Sequence, residues 1–237
     1  MLKQTLKKRH YFLPMNDVPP TTVLPSKDQI KNFPLFQNLE FEQIHLVYNL
    51  EQCLHWENEL KTAALLGFDS ESKPTFRKGE VTTGPHLIQL ATAQKAWLFQ
   101  MNAETWPFLT PILSSRDQIK VGFGLKNDAH LFRKHGIELN SVLELSKCFS
   151  SFGLIQPVGL KNAMALLFQV NFPKSKSVST SNWAKKRLTP DQIRYAAADA
   201  YAPVLVFEEL LKRGVLPKTI PNTSLKLRIR PNKNPST

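Results

Sequence analysis

Residues 63–68 read Ala-Ala-Leu-Leu-Gly-Phe, and the run stops abruptly at Asp69-Ser70-Glu71. A strand with no polar face has to be covered on both sides. This one stretch therefore demands a sheet held between layers of helix. The rest of the pattern supplies both components. Residues 44–48, 86–91, 96–99, 119–122 and 141–145 read as further strands, with a short turn between the second and third of these. Helical periodicity is predicted over 105–113, 128–135 (closed by Gly136), 160–168 and from Thr189 or Pro190 to about Lys212. Pro190 suits the first turn of that last helix, and Gly214 suits its stop. Asn49, with Gln52 three residues on, predicts a capping box. The helix it opens carries Leu50, Cys53, Leu54, Glu57 and Leu60 on one stripe. A group of strands followed by alternating helix and strand indicates an α/β domain with a mixed central sheet.

The chain has 237 residues and a net charge of +12, which is unevenly spread. Residues 1–34 carry +4 and five prolines, residues 212–237 carry +7 with no acid, and the body between them carries only +1. Basic ends suit a polyanion such as nucleic acid, or an anionic membrane surface. They equally suit solubilising tails, and charge alone does not choose. The predicted organisation is a basic, Pro-rich N-terminal arm (1–34), a folded domain (35–213) and a basic tail (214–237). Within the tail, Leu225, Leu227 and Ile229 alternate with Lys226, Arg228 and Arg230, so an edge strand competes with a binding arm. No window approaches the roughly 18 apolar residues of a membrane span. No apolar h-region follows the basic start. Two cysteines, Cys53 and Cys148, are too few for a disulfide framework. The expectation is a reduced, cytoplasmic location, with organelle or nuclear targeting by the basic ends left open.

Three segments carry chemistry. Asp69 and Glu71 end a strand, where open α/β sheets place ligands, and a spacing of two puts both carboxylates on one face. Such a pair can share a divalent cation. In Tyr195-Ala196-Ala197-Ala198-Asp199 the first and last residues stack one turn apart on a helix. The alanines between keep that face slim, and apolar neighbours suggest a buried Asp199, which needs a partner or a metal. Asp128 begins a predicted helix, where an acid also complements the macrodipole.

In this order the segments resemble the three exonuclease motifs of the DEDD superfamily. Tyr195-x-x-x-Asp199 points to the tyrosine-bearing branch, which includes ribonuclease D, the Werner-syndrome helicase exonuclease domain and the proofreading domain of family A DNA polymerases. The resemblance covers residues 40–212. It extends to Lys120-Val121-Gly122-Phe123-Gly124, Val158-Gly159-Leu160 and Ser181-Asn182-Trp183-Ala184. Residues 188–201 look most like the Werner-type members. Two departures are visible, Ala198 where Thr or Ser often precedes the last acid and Ser72 where an aromatic residue commonly follows Glu71.

The resemblance implies a ribonuclease-H-like fold with a mixed five-stranded sheet flanked by helices. It implies a 3′→5′ exonuclease with Asp69, Glu71, Asp128 and Asp199 as ligands of two divalent cations, Mg²⁺ or Mn²⁺, and with Tyr195 orienting the attacking water. The implied partner is the 3′ end of single-stranded or recessed DNA or RNA, DNA being favoured. Lys126, Lys161, Lys176, Trp183 and Arg187 are candidates for holding it, together with Lys174, Lys185 and Lys186. For Trp183 a core position competes with base stacking. The alternatives are a ribonuclease D-like RNA-processing enzyme, an inactive nucleic-acid-binding module, and a membrane-surface adaptor.

Overall fold

The computed structural model describes residues 23–75, 79–80, 83–125 and 129–216. In chain order, a short helix α1 (Lys27–Lys31) precedes strand β1 (Ile44–Val47) and helices α2 (Leu50–His55) and α3 (Glu57–Thr62). Strands β2 (Leu65–Glu71), β3 (Leu87–Ala91) and β4 (Ala96–Gln100) follow, then α4 (Thr105–Leu113), β5 (Ile119–Gly122), α5 (Ala129–Lys134) and β6 (Val142–Glu144). Helices α6 (Leu160–Phe168), α7 (Lys176–Ser179) and α8 (Pro190–Lys212) complete the described chain. No described helix is long and apolar enough to cross a membrane.

The strands form one mixed sheet in the order β1-β4-β3-β2-β5-β6. The pairs β2–β3 and β3–β4 are antiparallel, while β1–β4, β2–β5 and β5–β6 are parallel. The α/β class expected from the sequence is therefore observed, but with six strands rather than five. Strand β1, which the sequence pattern places at residues 44–48, joins the free edge of β4 through Ile44–Val47. An edge pairing between segments some fifty residues apart is a tertiary choice that local periodicity does not encode.

Strand β2 is buried in the manner its composition requires. Leu66 and Phe68 face a cluster with Ile88, Leu90, Trp97, Phe99, Leu109 and Phe132. Its other face meets α8, where Ala196, Ala197, Ala200 and Val204 pack with Leu87, Ala91 and Leu98. Gly67 sets that approach. A Cβ on it would lie 1.9 Å from the Ala200 carbonyl oxygen and 2.8 Å from Val204 Cγ2, so the helix backbone rests directly on the strand.

Three expectations change. The helix expected from Leu50 to Leu60 breaks at Trp56 into α2 and α3, which leaves Leu50 and Leu54 exposed and only Cys53 and Leu60 of the stripe buried. Asn49 caps the Gln52 N–H as expected, but the Gln52 side chain accepts from the Tyr48 N–H rather than from Asn49. The arm, whose five prolines and lack of periodicity predict irregular chain, holds regular structure in its described part, residues 23–34. Ser26 and Gln29 form a reciprocal capping box on α1, and Ile30 is buried. Residues 34–36 then pair with Asn171 through two backbone hydrogen bonds. Residues 1–22 and 217–237, which hold the rest of the arm and nearly all of the tail, lie outside the described residues.

One buried charge has a measurable consequence. Lys120 in β5 is wholly buried, and its ammonium donates to the Ser115 carbonyl at 2.6 Å and the Ile112 carbonyl at 3.4 Å, at the C-terminal end of α4. Burial pulls its titration down to about 8. Below pH 8 folded and unfolded chains both bind this proton. Above it, up to the ordinary lysine value of about 10.4, only the unfolded chain does, so stability contributed by Lys120 rises with pH. Replacing it with methionine removes the titration. The unfolding free energy of the native protein relative to Lys120→Met should therefore climb between pH 8 and 10, at up to about 1.4 kcal/mol per pH unit. Urea titrations of both proteins at pH 7, 8, 9 and 10 measure it, and a flat difference would refute a buried ammonium.

Candidate active site

The face of β2 that meets α8 carries Gly67, Asp69 and Glu71, because alternate strand residues share a face. Helix α8 begins with a reciprocal capping box between Thr189 and Gln192 and has Pro190 in its first turn. That fixed start, together with the Gly67 contact, decides which residues overlie the end of β2. They are Tyr195 and Asp199, one turn apart. The carboxylate oxygens of Asp69, Glu71 and Asp199 lie within 4.8 Å of one another.

Asp199 is only 6% exposed, and its Oδ1 has no hydrogen-bond partner. Burial pushes its carboxyl above the usual range, and the Lys174 ammonium and a hydrogen bond from Tyr195 pull it back. The Tyr195 hydroxyl also bonds to Ser179. Burial first, and then the charges of Asp199 and Glu71, hold this phenol well above its ordinary value. It stays protonated throughout the physiological range. Tyr195 is thus a neutral donor aimed at Asp199, with its oxygen available to accept.

Behind Tyr195 stands Trp183, with ring centroids 6.0 Å apart. Trp183 is wholly buried and donates its indole N–H to the Ser179 carbonyl at 3.1 Å. The expectation that it stacks on a base is corrected, because no part of the ring reaches solvent. Its work is to hold Ser179, which in turn touches Tyr195. Lys161, Lys176 and Arg187 are exposed, near the starts of α6, α7 and α8, with no ion pair to a carboxylate among the described residues. Of the lysines near the motifs, Lys174 is the one whose charge acts on Asp199. Asp128 and Lys126 lie outside the described residues, so the fourth expected ligand is not placed.

Gln89 was missed by the sequence reading. It pairs with Asp69 across β2 and β3, on the face covered by α8. It is wholly buried with neither amide atom hydrogen-bonded. A lone amide inside Leu87-Ile88-Gln89-Leu90-Ala91 was the available signal, since a central strand rarely tolerates one without purpose.

Three crowded carboxylates, one carrying an orphaned buried oxygen, form an oxygen-only donor set. That chemistry fits a hard divalent cation such as Mg²⁺ or Mn²⁺. Without a cation the arrangement is repulsive.

Comparison with known proteins bears on the family and the fold. The sequence pattern of the 3′-5′ exonuclease family matches residues 44–214. The chain is 30% identical over 169 residues to the bifunctional 3′-5′ exonuclease/ATP-dependent helicase WRN of Mus musculus, a match covering 65% of this chain and 11% of that protein. It is 26% identical over 222 residues to the exonuclease mut-7 homolog of Aedes aegypti, covering 84% of this chain and 30% of that one. The chain thus spans less than a third of either relative. Among solved structures, the Aedes aegypti Nibbler EXO domain superposes with a TM-score of 0.64 at 23% identity, over 75% of this chain and 92% of that one. Trypanosoma brucei RNase D in complex with RNA U12 superposes with a TM-score of 0.62 at 18% identity, over 82% and 66%. These likenesses show the ribonuclease-H-like fold.

Proposed function

The chain belongs to the 3′-5′ exonuclease family, and from that premise we propose that it removes nucleoside 5′-monophosphates one at a time from the 3′ end of nucleic acid, with DNA the favoured substrate. The observation that carries this reading is the convergence of Asp69, Glu71 and Asp199 within 4.8 Å beside Tyr195. Asp69, Glu71 and Asp199, joined by Asp128, would hold two divalent ions. When bound, these supply positive charge for the attacking and leaving oxygens of a phosphodiester.

The protein's own groups supply orientation. A phenol has one proton and two lone pairs. In this reading Tyr195 turns its proton toward Asp199, on whose titration it acts, and its oxygen is left to hold a water by its hydrogen. That water is thereby aimed at the terminal phosphorus. Its attack breaks the bond to the penultimate 3′ oxygen, so the phosphate leaves on the 5′ carbon of the departing nucleotide. Lys174, whose charge already acts on Asp199, would face the phosphate. The favoured DNA substrate rests on the Werner-type third motif. The superposition on an RNase D complexed with RNA supports RNA as a second reading.

The test uses matched 5′-labelled single-stranded DNA and RNA with Mg²⁺, with Mn²⁺ and with chelator. A ladder shortening from the 3′ end, abolished by chelator, is the expected result, and the faster ladder identifies the sugar. Immediate release of labelled mononucleotide would overturn the polarity. Tyr195→Phe should lower turnover by about 10²–10⁴-fold, as for a positioned proton-handling group, with a much smaller change in substrate affinity. Full turnover in that variant would make Tyr195 a core residue only.

A further inference from the structure

A second groove opens on the same face of the sheet, at the same end as the acidic cluster. Glu71 is paired with Leu87, and Leu87 with Gln100. Tyr48 follows Val47, whose partner is Phe99, so Tyr48 continues this row across the sheet. Beyond Leu87 the row enters a groove of about 580 Å³. Tyr48, Gln100 and Asn102 line it on one side and Lys186 and Arg187 on the other, with Leu46 and Leu188 as its apolar part.

The cationic side of this groove is held in place. Trp183 is buried before it and Leu188 after it, and the Gln100 side-chain amide donates to the Lys185 carbonyl at 2.8 Å. Opposite, the Asn102 amide donates to the Tyr48 carbonyl at 2.7 Å. Lys185, Lys186 and Arg187 are all exposed, and none forms an ion pair with a carboxylate among the described residues. Arg187 is near enough to Tyr48 for its charge to act on the phenol, opposing the upward push of burial. Lys186 and Arg187 on a fixed loop, with no carboxylate paired to them among the described residues and an aromatic ring opposite, form an anion site with a stacking surface.

We propose that this groove is a subsite for the single-stranded segment upstream of the 3′ end, with Lys186 and Arg187 on the phosphates and Tyr48 against a base. The inference rests on the exonuclease reading and extends it. Two to three strand spacings separate β2 from β4 and β1, so the groove lies about 10–14 Å from Glu71. That is too far to touch the scissile phosphate, and it places the groove on the same strand a short way upstream. Aromatic stacking tolerates every base and charge reads the backbone without sequence. The subsite therefore sets preference for strand length and single-strandedness, not for sequence.

The test is binding of a fluorescent single-stranded oligonucleotide in chelator, so that no cleavage occurs, across a salt series. Each phosphate contact on a single strand contributes about −0.7 to the slope of log K against log salt. Lys186→Ala/Arg187→Ala in the full chain should make the slope shallower by about 1.4 if each cation holds one phosphate. Tyr48→Leu should weaken binding by about tenfold, in the range of one lost base stack, and Tyr48→Phe should restore it. The preference in kcat/KM for a long strand over a dinucleotide, which cannot span the distance, should shrink in the double variant. An unchanged salt slope and length preference in the double variant would overturn the subsite while native cleavage persists. Absence of metal-dependent cleavage by the native protein would instead overturn the exonuclease reading.

Discussion

Asp199→Asn is expected to abolish nuclease activity, down to the level of chelator-treated native protein, and to make the metal-free protein more stable. Both follow from one geometry. The side chain is buried, its Oδ1 has no partner, and two further carboxylates lie within 4.8 Å. At that separation two unit charges repel by about 3 kcal/mol at an effective dielectric of 20. The fold sustains this arrangement because α8 is fixed on β2 by contacts elsewhere. Asparagine keeps the shape and removes the charge, so the repulsion falls while the donor set loses the ligand it needs. In chelator the variant should melt roughly 6–12 °C higher than the native protein, given that 1 kcal/mol moves a domain of this size by about 2–4 °C. Added Mg²⁺ should then raise the native melting temperature, because only the folded site binds it, and leave the variant nearly unmoved. Calorimetry with and without Mg²⁺, beside the ladder assay, measures both effects. A variant that cleaves at the native rate, or one less stable than the native protein in chelator, would show that Asp199 is a structural acid.

The site was legible in the sequence wherever a short-range period placed it. Asp69 and Glu71 share a face because strands repeat every two residues, and Tyr195 and Asp199 share one because helices return after four. The start at Pro190 and the stop at Gly214, which adopts φ 69°, were equally local. What escaped depends on packing between distant segments. Trp183 reads identically as a base platform or as a core indole until Ser179 is seen to accept its N–H. Gln89 lay inside a run read only as a strand, and its position beside Asp69 needs the β2–β3 register. The break at Trp56 arises because its ring packs on His45 at 4.2 Å and near Trp97 at 5.9 Å. That tertiary anchor overrides a helical stripe. The groove beside Tyr48 joins residues from β1, β4 and the loop before α8, and no sequence window contains all three.

Gly67→Ala should be the most damaging single methyl group in the molecule. The added Cβ would sit 1.9 Å from the Ala200 carbonyl oxygen, 3.0 Å from its carbon and 2.8 Å from Val204 Cγ2. The first two atoms are backbone, so no rotamer change relieves them. Strand β2 is held by β3 on one side and β5 on the other, and it cannot retreat. The helix must lift instead. Overpacking a well-filled core costs about 1–3 kcal/mol, and an obstacle made of backbone belongs at the upper end of that range. A loss of about 3 kcal/mol corresponds to a fall of roughly 6–12 °C in melting temperature. The damage to activity has a separate origin. Helix α8 carries Tyr195 and Asp199 within a single 23-residue unit, and lifting it at Ala200 moves Asp199 away from Asp69 and Glu71. Misplacing reacting groups by about 1 Å can cost 10²-fold in rate, so activity should fall by about that factor at temperatures where the variant is fully folded. A second substitution separates the two atoms in conflict. Val204→Ala in the Gly67→Ala background removes the Cγ2 contact and should recover part of the stability. It should recover little activity, because the Ala200 carbonyl still holds the helix off the strand. Melting curves and ladder rates for the single and double variants provide the measurement. Native stability and native rate in Gly67→Ala would mean that α8 does not rest on β2 at this point, and the proposed position of Asp199 over the two strand carboxylates would have to be abandoned.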